Sequence, residues 1–165
     1  MRQILLCLSL IFFFGGNTSA QIPDSSQYIV LPYEVLSRYA AEFPFKTTAS
    51  DINGKELEQA ERLLVACITQ YNIEQQEAYE MAKSWSHTVR RSDFGIDLKK
   101  YKRQYVVFTK PNGDKYLWIN FLCRDPHNIW KQSLVRADGG GSCYFNLKFN
   151  LTQNYYYGFY VNSVD

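Results

Sequence analysis

Histidine is almost missing from this chain, neither sign of charge is in excess, and no long apolar run occurs after residue 14. With only His87 and His127 present, imidazole-based chemistry has few places to sit. Lys and Arg number 18 against 16 Asp and Glu, a balance that gives no electrostatic footprint for nucleic acid or an anionic membrane surface. A transmembrane helix needs about 20 apolar residues, so the later sequence holds no candidate for one. Paired metal-ligand spacings, a phosphate-cradling P-loop, internal repeats, coiled-coil heptads and low-complexity tracts are also missing.

What is present begins with the first twenty residues. Met1-Arg2-Gln3, the apolar run Ile4 to Phe14 and the small, polar stretch Gly15 to Ala20 have the layout of a secretory signal peptide. The expectation is an exported protein whose mature chain starts near Gln21 and has no transmembrane segment once the leader is gone. Residues 21–50 read as a weakly structured arm and 51–165 as a single α+β domain. Cys7 leaves with the leader, and Cys67, Cys123 and Cys143 remain, an odd number in an oxidising compartment.

The arm holds one short helical candidate, Tyr33 to Ala41. Between Lys55 and Asn72, Leu57, Ala60, Leu64, Cys67, Ile68 and Tyr71 recur at three- and four-residue steps, the stripe of an amphipathic helix. Ser50, Asp51 and Asn53 offer N-cap oxygens. A second helix is expected from Ile73 to Arg91, where Ala78, Met81, Ala82, Trp85 and Val89 again recur at helical spacing, although Glu74 to Glu77 is polar all round.

After Gly95 the period changes to two. Lys102–Thr109 and Lys115–Cys123 flank Asn112-Gly113, a pair suited to a tight hairpin turn. Gln132–Ala137 is a short strand candidate, Cys143 to Leu151 alternates strictly, and Tyr155 to Asn162 follows a turn at Thr152–Asn154. These elements predict one or two N-terminal helices packed on one face of an antiparallel meander of about five strands. Cys123 and Cys143 both point to the apolar side. If their strands are close, a bridge between them closes a loop of about 20 residues and stabilises by roughly 3 kcal/mol; the alternative is three thiols.

Tyr101-Lys-Arg-Gln-Tyr105, Gly113-Asp-Lys with Trp118-Ile-Asn120, Cys123, Trp130, Asp138-Gly-Gly with Cys143-Tyr-Phe-Asn146, and Tyr160-Val-Asn162 resemble small, uncharacterised exported proteins of Bacteroidota-type bacteria. The resemblance spans roughly residues 101–162. It implies export from a bacterial cell and transfers no activity or site residues. The order of helix then meander is also similar to cystatin-like folds. The inhibitor's glutamine-valine-glycine hairpin tip is replaced here by Lys110-Pro-Asn-Gly-Asp114, so protease inhibition is not implied.

Each set of reactive side chains has a plainer reading beside it. Cys67 and His87 could form a nucleophile and base, but Cys67 sits mid-helix on an apolar stripe. Cys123, His127 and Cys143 are metal-ligand types without metal-site spacing. Asp93, Asp97, Asp125 and Asp138 are loop carboxylates of the kind that cap turns. Asn150-Leu-Thr152 matches a glycosylation sequon, which is irrelevant in a bacterial product.

The aromatics, 16% of residues, carry the clearest functional signal. If Phe145 and Phe149 point inward, Tyr116, Trp118, Tyr144, Tyr156 and Tyr160 fall on the opposite face, interleaved with Asn146, Lys148 and Asn150. Such a face can stack on sugar rings or anchor a protein partner. The competing arrangement has the arm or a helix covering these rings as a second core layer. The expectation is therefore an exported binding or structural module without a cofactor, with a protein or glycan partner outside the cytoplasm. The alternative is a small secreted hydrolase using loop carboxylates or a cysteine.

Overall fold

The computed structural model describes residues 24–39, 46–86, 88–91, 94–125 and 127–163. The leader-like segment 1–20 and residues His87 and Asp93 lie outside them. The fold is α+β: one long helix, α1 (Gly54–Trp85), lies against a six-stranded mixed sheet. The strands are β1 (Tyr28–Val30), β2 (Thr48–Ala49), β3 (Lys102–Thr109), β4 (Lys115–Leu122), β5 (Tyr144–Asn150) and β6 (Tyr155–Val161).

Strands β3 to β6 form the expected antiparallel meander, with the β3–β4 hairpin at the Asn112-Gly113 turn. Gly113 there has φ +86°, a conformation glycine adopts freely. The sheet is not wholly antiparallel, because the arm joins it. β1 pairs parallel to the first half of β3 and β2 antiparallel to its end, so both short strands share one edge. The Tyr33 to Ala41 candidate is a 3-10 helix, Tyr33–Tyr39. Gln132–Ala137 forms no strand and runs as a loop.

The two expected helices are one. Asn53 and Glu56 close a capping box at its start, with bonds of 2.9 and 3.0 Å. The polar stretch after Ile73 does not break it. Glu and Gln are good helix formers, neither Gly nor Pro intervenes, and Gln70–Glu74 and Gln76–Glu80 bond across single turns. Loss of the apolar stripe there marks the point where the helix leaves the sheet: burial runs from Leu57 to Ile68, whereas Met81 and Trp85 are exposed.

Two cores lie on opposite faces of the sheet. On the helix face, Leu57, Ala60, Leu64, Cys67 and Ile68 meet Tyr105, Val107, Leu117, Ile119, Phe121, Phe145, Leu147 and Phe149. On the far face, Leu31 and Leu36 of the arm meet Val106, Phe108, Tyr116 and Trp118, with Leu134 of the long β4–β5 connection beside them. The arm thus covers the far face of β3 and β4 and leaves that of β5 and β6 open.

Candidate functional site: a polar cleft on the far face of the sheet

The far face of β4, β5 and β6 forms the floor of a cleft of about 420 Å³, and Val135 to Asp138 of the β4–β5 connection form its wall. Rows of cross-strand partners set the floor: Trp118 opposes Lys148, and Asn120 opposes Asn146, which opposes Tyr160. Tyr144 and Asn162 close one end. Alternation along β4 and β5 brings Asn120 and Asn146 into one hollow beside tyrosine rings, joined by Asn162 just past the end of β6.

The wall is held by the floor. Asn120 Nδ2 donates to Val135 O at 2.8 Å, and Asn162 Nδ2 donates to Ala137 O at 2.6 Å and Gly139 O at 3.1 Å. Gln104, fully buried on β3, donates to Trp130 O and Ser133 O and accepts from the Val135 N–H and from Asn120. Trp118 Nε1 reaches Asn146 Oδ1 at 3.3 Å, fixing that amide in the floor. Arg136 and Asp138 pair at the rim, 3.1 Å apart.

Of the five aromatic residues expected on one face, three line this cleft: Trp118, Tyr144 and Tyr160. Tyr116 shares the face but is buried under the arm, stacked on Phe108, and its hydroxyl accepts from Asn150 Nδ2. Trp118 is only 4% exposed, so little of its ring is open to a ligand. Tyr156 is on the other side. A bulge in β6 puts two residues opposite Leu147, and the register resumes with Tyr157 against Lys148 and Tyr156 against Phe149. Tyr155, Tyr157 and Tyr160 therefore share the far face, while Tyr156 and Phe159 lie on the helix side. Strict alternation cannot anticipate this; Gly158, at φ +61°, is the local signal.

The remaining candidates do not converge. Cys67 is buried on the helix stripe, and burial pushes its thiol above the ordinary range, the opposite of an activated nucleophile. Asp97 caps the 3-10 turn before β3. Asp125 accepts from the Ile129 and Trp130 N–H groups, and Asp138 belongs to the rim pair. His127 is exposed. Among the described residues, no three His, Cys, Asp or Glu side chains gather as metal ligands would. Asn150 of the sequon is buried, with its amide bonded to Asp114 and Tyr116.

Cys123 and Cys143 form a disulfide, with Cα atoms 5.0 Å apart. It ties the chain just after β4 to the chain just before β5. No helix among the described residues is long and apolar enough to cross a membrane. No protein-family model, curated protein or solved structure matches the chain.

Proposed function

We propose that this protein is an exported, non-enzymatic binding module that takes a saccharide into the far-face cleft. The observation that carries the proposal is the convergence of Asn120, Asn146 and Asn162 with the Tyr144 ring and the exposed Tyr160 ring in one hollow. Sugar recognition needs this pairing: an aromatic plane for the apolar face of the ring, and amides for its hydroxyls, with Asn146 Nδ2 as the donor and the Oδ1 atoms of Asn120 and Asn162 as acceptors, since the Nδ2 groups of the latter two already donate to Gln104 and the wall. The volume lies within the usual range of small-molecule sites, about 300–1,000 Å³. Gln104, Asn120 and Asn162 hold the wall in place, which lowers the ordering cost of binding. Export rests on the leader-like Met1–Ala20 and on the Cys123–Cys143 bridge, a linkage that persists in oxidising compartments. Kinship with small exported bacterial proteins belongs to the same proposal.

The hydrolase alternative has less support, since Asp97, Asp125 and Asp138 are each engaged at a separate place. The test is a glycan array followed by titration of the purified chain. Tyr160→Ala should weaken saccharide binding about tenfold and leave the melting temperature unchanged, because the ring is 59% exposed. Unchanged affinity in that variant overturns the reading. Trp118→Ala is unsuited as a binding probe, since truncating so buried a ring costs about 3–5 kcal/mol.

A further inference from the structure

Past the aromatic cleft, the far face of β6 continues as a row of tyrosines. Their partners on β5 set the spacing: Tyr160 opposes Asn146, Tyr157 opposes Lys148 and Tyr155 opposes Asn150. The rings therefore stand at successive two-residue steps of β5, and at the strand rise the row is about 13 Å long. Only its Tyr160 end, with Gly158 and Lys148, lines the cleft. No residue of β6 carries a charge.

The rings are supported from below. Asn150 separates Tyr155 on β6 from Tyr116 on β4, and the Tyr155 hydroxyl reaches that of Tyr116. Strands two apart are separated by about 10 Å, so these hydroxyls meet only if the side chains lean toward one another over β5. A leaning Tyr155 has one ring face toward the sheet and the other outward, and the residue is 44% exposed. Tyr157 stands beside it, ring centroids 5.9 Å apart and tilted by 49°, and packs edge-on against Tyr116 at 6.0 Å. Between Tyr157 and Tyr160 the floor is the Lys148 stem, which lies over Gly158: a Cβ there would be 3.6 Å from Lys148 Cδ. Such a stem is apolar along its length, so the row has no polar gap.

We infer that this row binds an extended, uncharged, β-linked oligosaccharide whose one end occupies the aromatic cleft. The inference rests on the saccharide reading of that cleft and deepens it, because the ligand becomes a chain rather than a single ring. One pyranose covers one tyrosine, and a row longer than a pyranose offers stacking to successive sugars. A β-linked chain runs nearly straight along such a row, whereas a coiled α-linked chain turns away from it. Continuity with the cleft and the absence of charge on β6 select this occupant over an ionic one.

The test measures calorimetric affinities of the purified chain for cello-, xylo-, manno- and chito-oligosaccharides, each as the dimer and the hexamer. In the series that binds, the hexamer should bind about tenfold more tightly than the dimer. Tyr155→Ala should remove that gain and leave dimer affinity unchanged, while Tyr160→Ala should weaken both. Tyr155→Phe, which keeps the ring, should retain the gain. Where Tyr155→Ala fails to fold, Tyr155→Leu replaces it, since it keeps the bulk and removes the flat ring. Dimer binding without a length gain, or a gain that survives the loss of the Tyr155 ring, overturns the inference and leaves the cleft reading intact. No binding of either length in any series overturns both. A polyproline peptide that shifts Tyr155 and Tyr157 in place of any hexamer, or a dimer of the protein that dissociates in Tyr155→Ala, gives the row to a protein partner or a second copy and also overturns it.

Discussion

Asn120 and Gln104 face each other across β4 and β3, and Asn120 Nδ2 donates to Gln104 Oε1 at 3.0 Å. Between them they occupy the carbonyls of Trp130, Ser133 and Val135 and the N–H of Val135. A connection without helix or strand beyond short turns must satisfy its backbone through side chains wherever it is buried. These two amides do so for the wall of the aromatic cleft.

Gln104→Leu keeps the volume and removes the partners. It should destabilise by about 2–4 kcal/mol, since several buried polar groups lose their bonds at once. Hydrogen exchange at the Val135 amide should accelerate more than exchange in the β4 ladder. If Val135 stays as protected as β4, the wall is held by something other than Gln104.

Beneath α1, Glu61 and Arg103 form a buried pair at 3.7 Å, and Glu61 also accepts the Tyr105 hydroxyl at 2.5 Å. Arg103 Nε and Nη1 are buried with no bond among the described residues. Burial raises the Glu61 carboxyl above its ordinary 4.5, against the pull of Arg103 and Tyr105. The folded state therefore holds this proton more tightly than the unfolded state, and the resulting stability is present at acid pH and lost as pH rises through the raised value. Glu61→Gln leaves Arg103 charged and unpaired in the core, at about 3–5 kcal/mol; E61L/R103M should recover most of that and flatten the pH dependence above 4.5. Denaturant midpoints across pH 4 to 8 check both outcomes, on the ordinary carboxylate scale.

Asp114 responds in the other direction. It lies at the β3–β4 turn, accepting from Asn150, Asn112, Gln153 and Tyr116, and these bonds hold its carboxyl below the ordinary 3.8. Its contribution is present above that value and lost as pH falls below it. Asp114→Asn should lessen the acid sensitivity of the β3–β4 hairpin, read from amide exchange at Thr109 and Lys115; unchanged sensitivity assigns the acid loss to other carboxylates.

Thiol reactivity should follow the pairing. Residues 21–165, unfolded but unreduced, should titrate one thiol, Cys67, and reduction should bring the count to three. Cys123→Ser with Cys143→Ser removes a closed loop and should cost about 3 kcal/mol in the chain-entropy picture. Three thiols before reduction would mean that the bridge does not form in solution.

Periodicity is why much of this was legible. The Leu57–Ile68 stripe, the Asn112-Gly113 hairpin and the alternation of Cys143–Leu151 each follow from local sequence, and the period of two that puts Cys123 and Cys143 on the same side points to their bridge, although Cys123 itself is exposed. Long-range choices were not legible. Nothing local marks Tyr28–Val30 as a parallel partner of β3, or Gln104 as the residue that satisfies a loop some thirty positions away, because those depend on which surfaces meet. Trp118 and Tyr116 read as outward residues and do lie on the far face, but the arm buries them.

The β6 bulge decides which tyrosine reaches the cleft, and Gly158 is where it can be tested. A Cβ at Gly158 would meet only Lys148 Cδ at 3.6 Å, an ordinary contact, so Gly158→Ala carries a conformational penalty alone. At φ +61° that penalty is about 1–2 kcal/mol. Deleting Gly158 removes the extra residue but leaves Tyr157 and Tyr160 on one side and Tyr156 and Phe159 on the other, since the flanking residues then alternate normally. The Phe159 ring, edge-on to Tyr71 with centroids 5.1 Å apart, should keep that contact in the deletion variant, visible as a cross-ring nuclear Overhauser effect. Its disappearance, with Phe159 turned to solvent, would show that the glycine itself, and not the count of residues in β6, assigns the two faces.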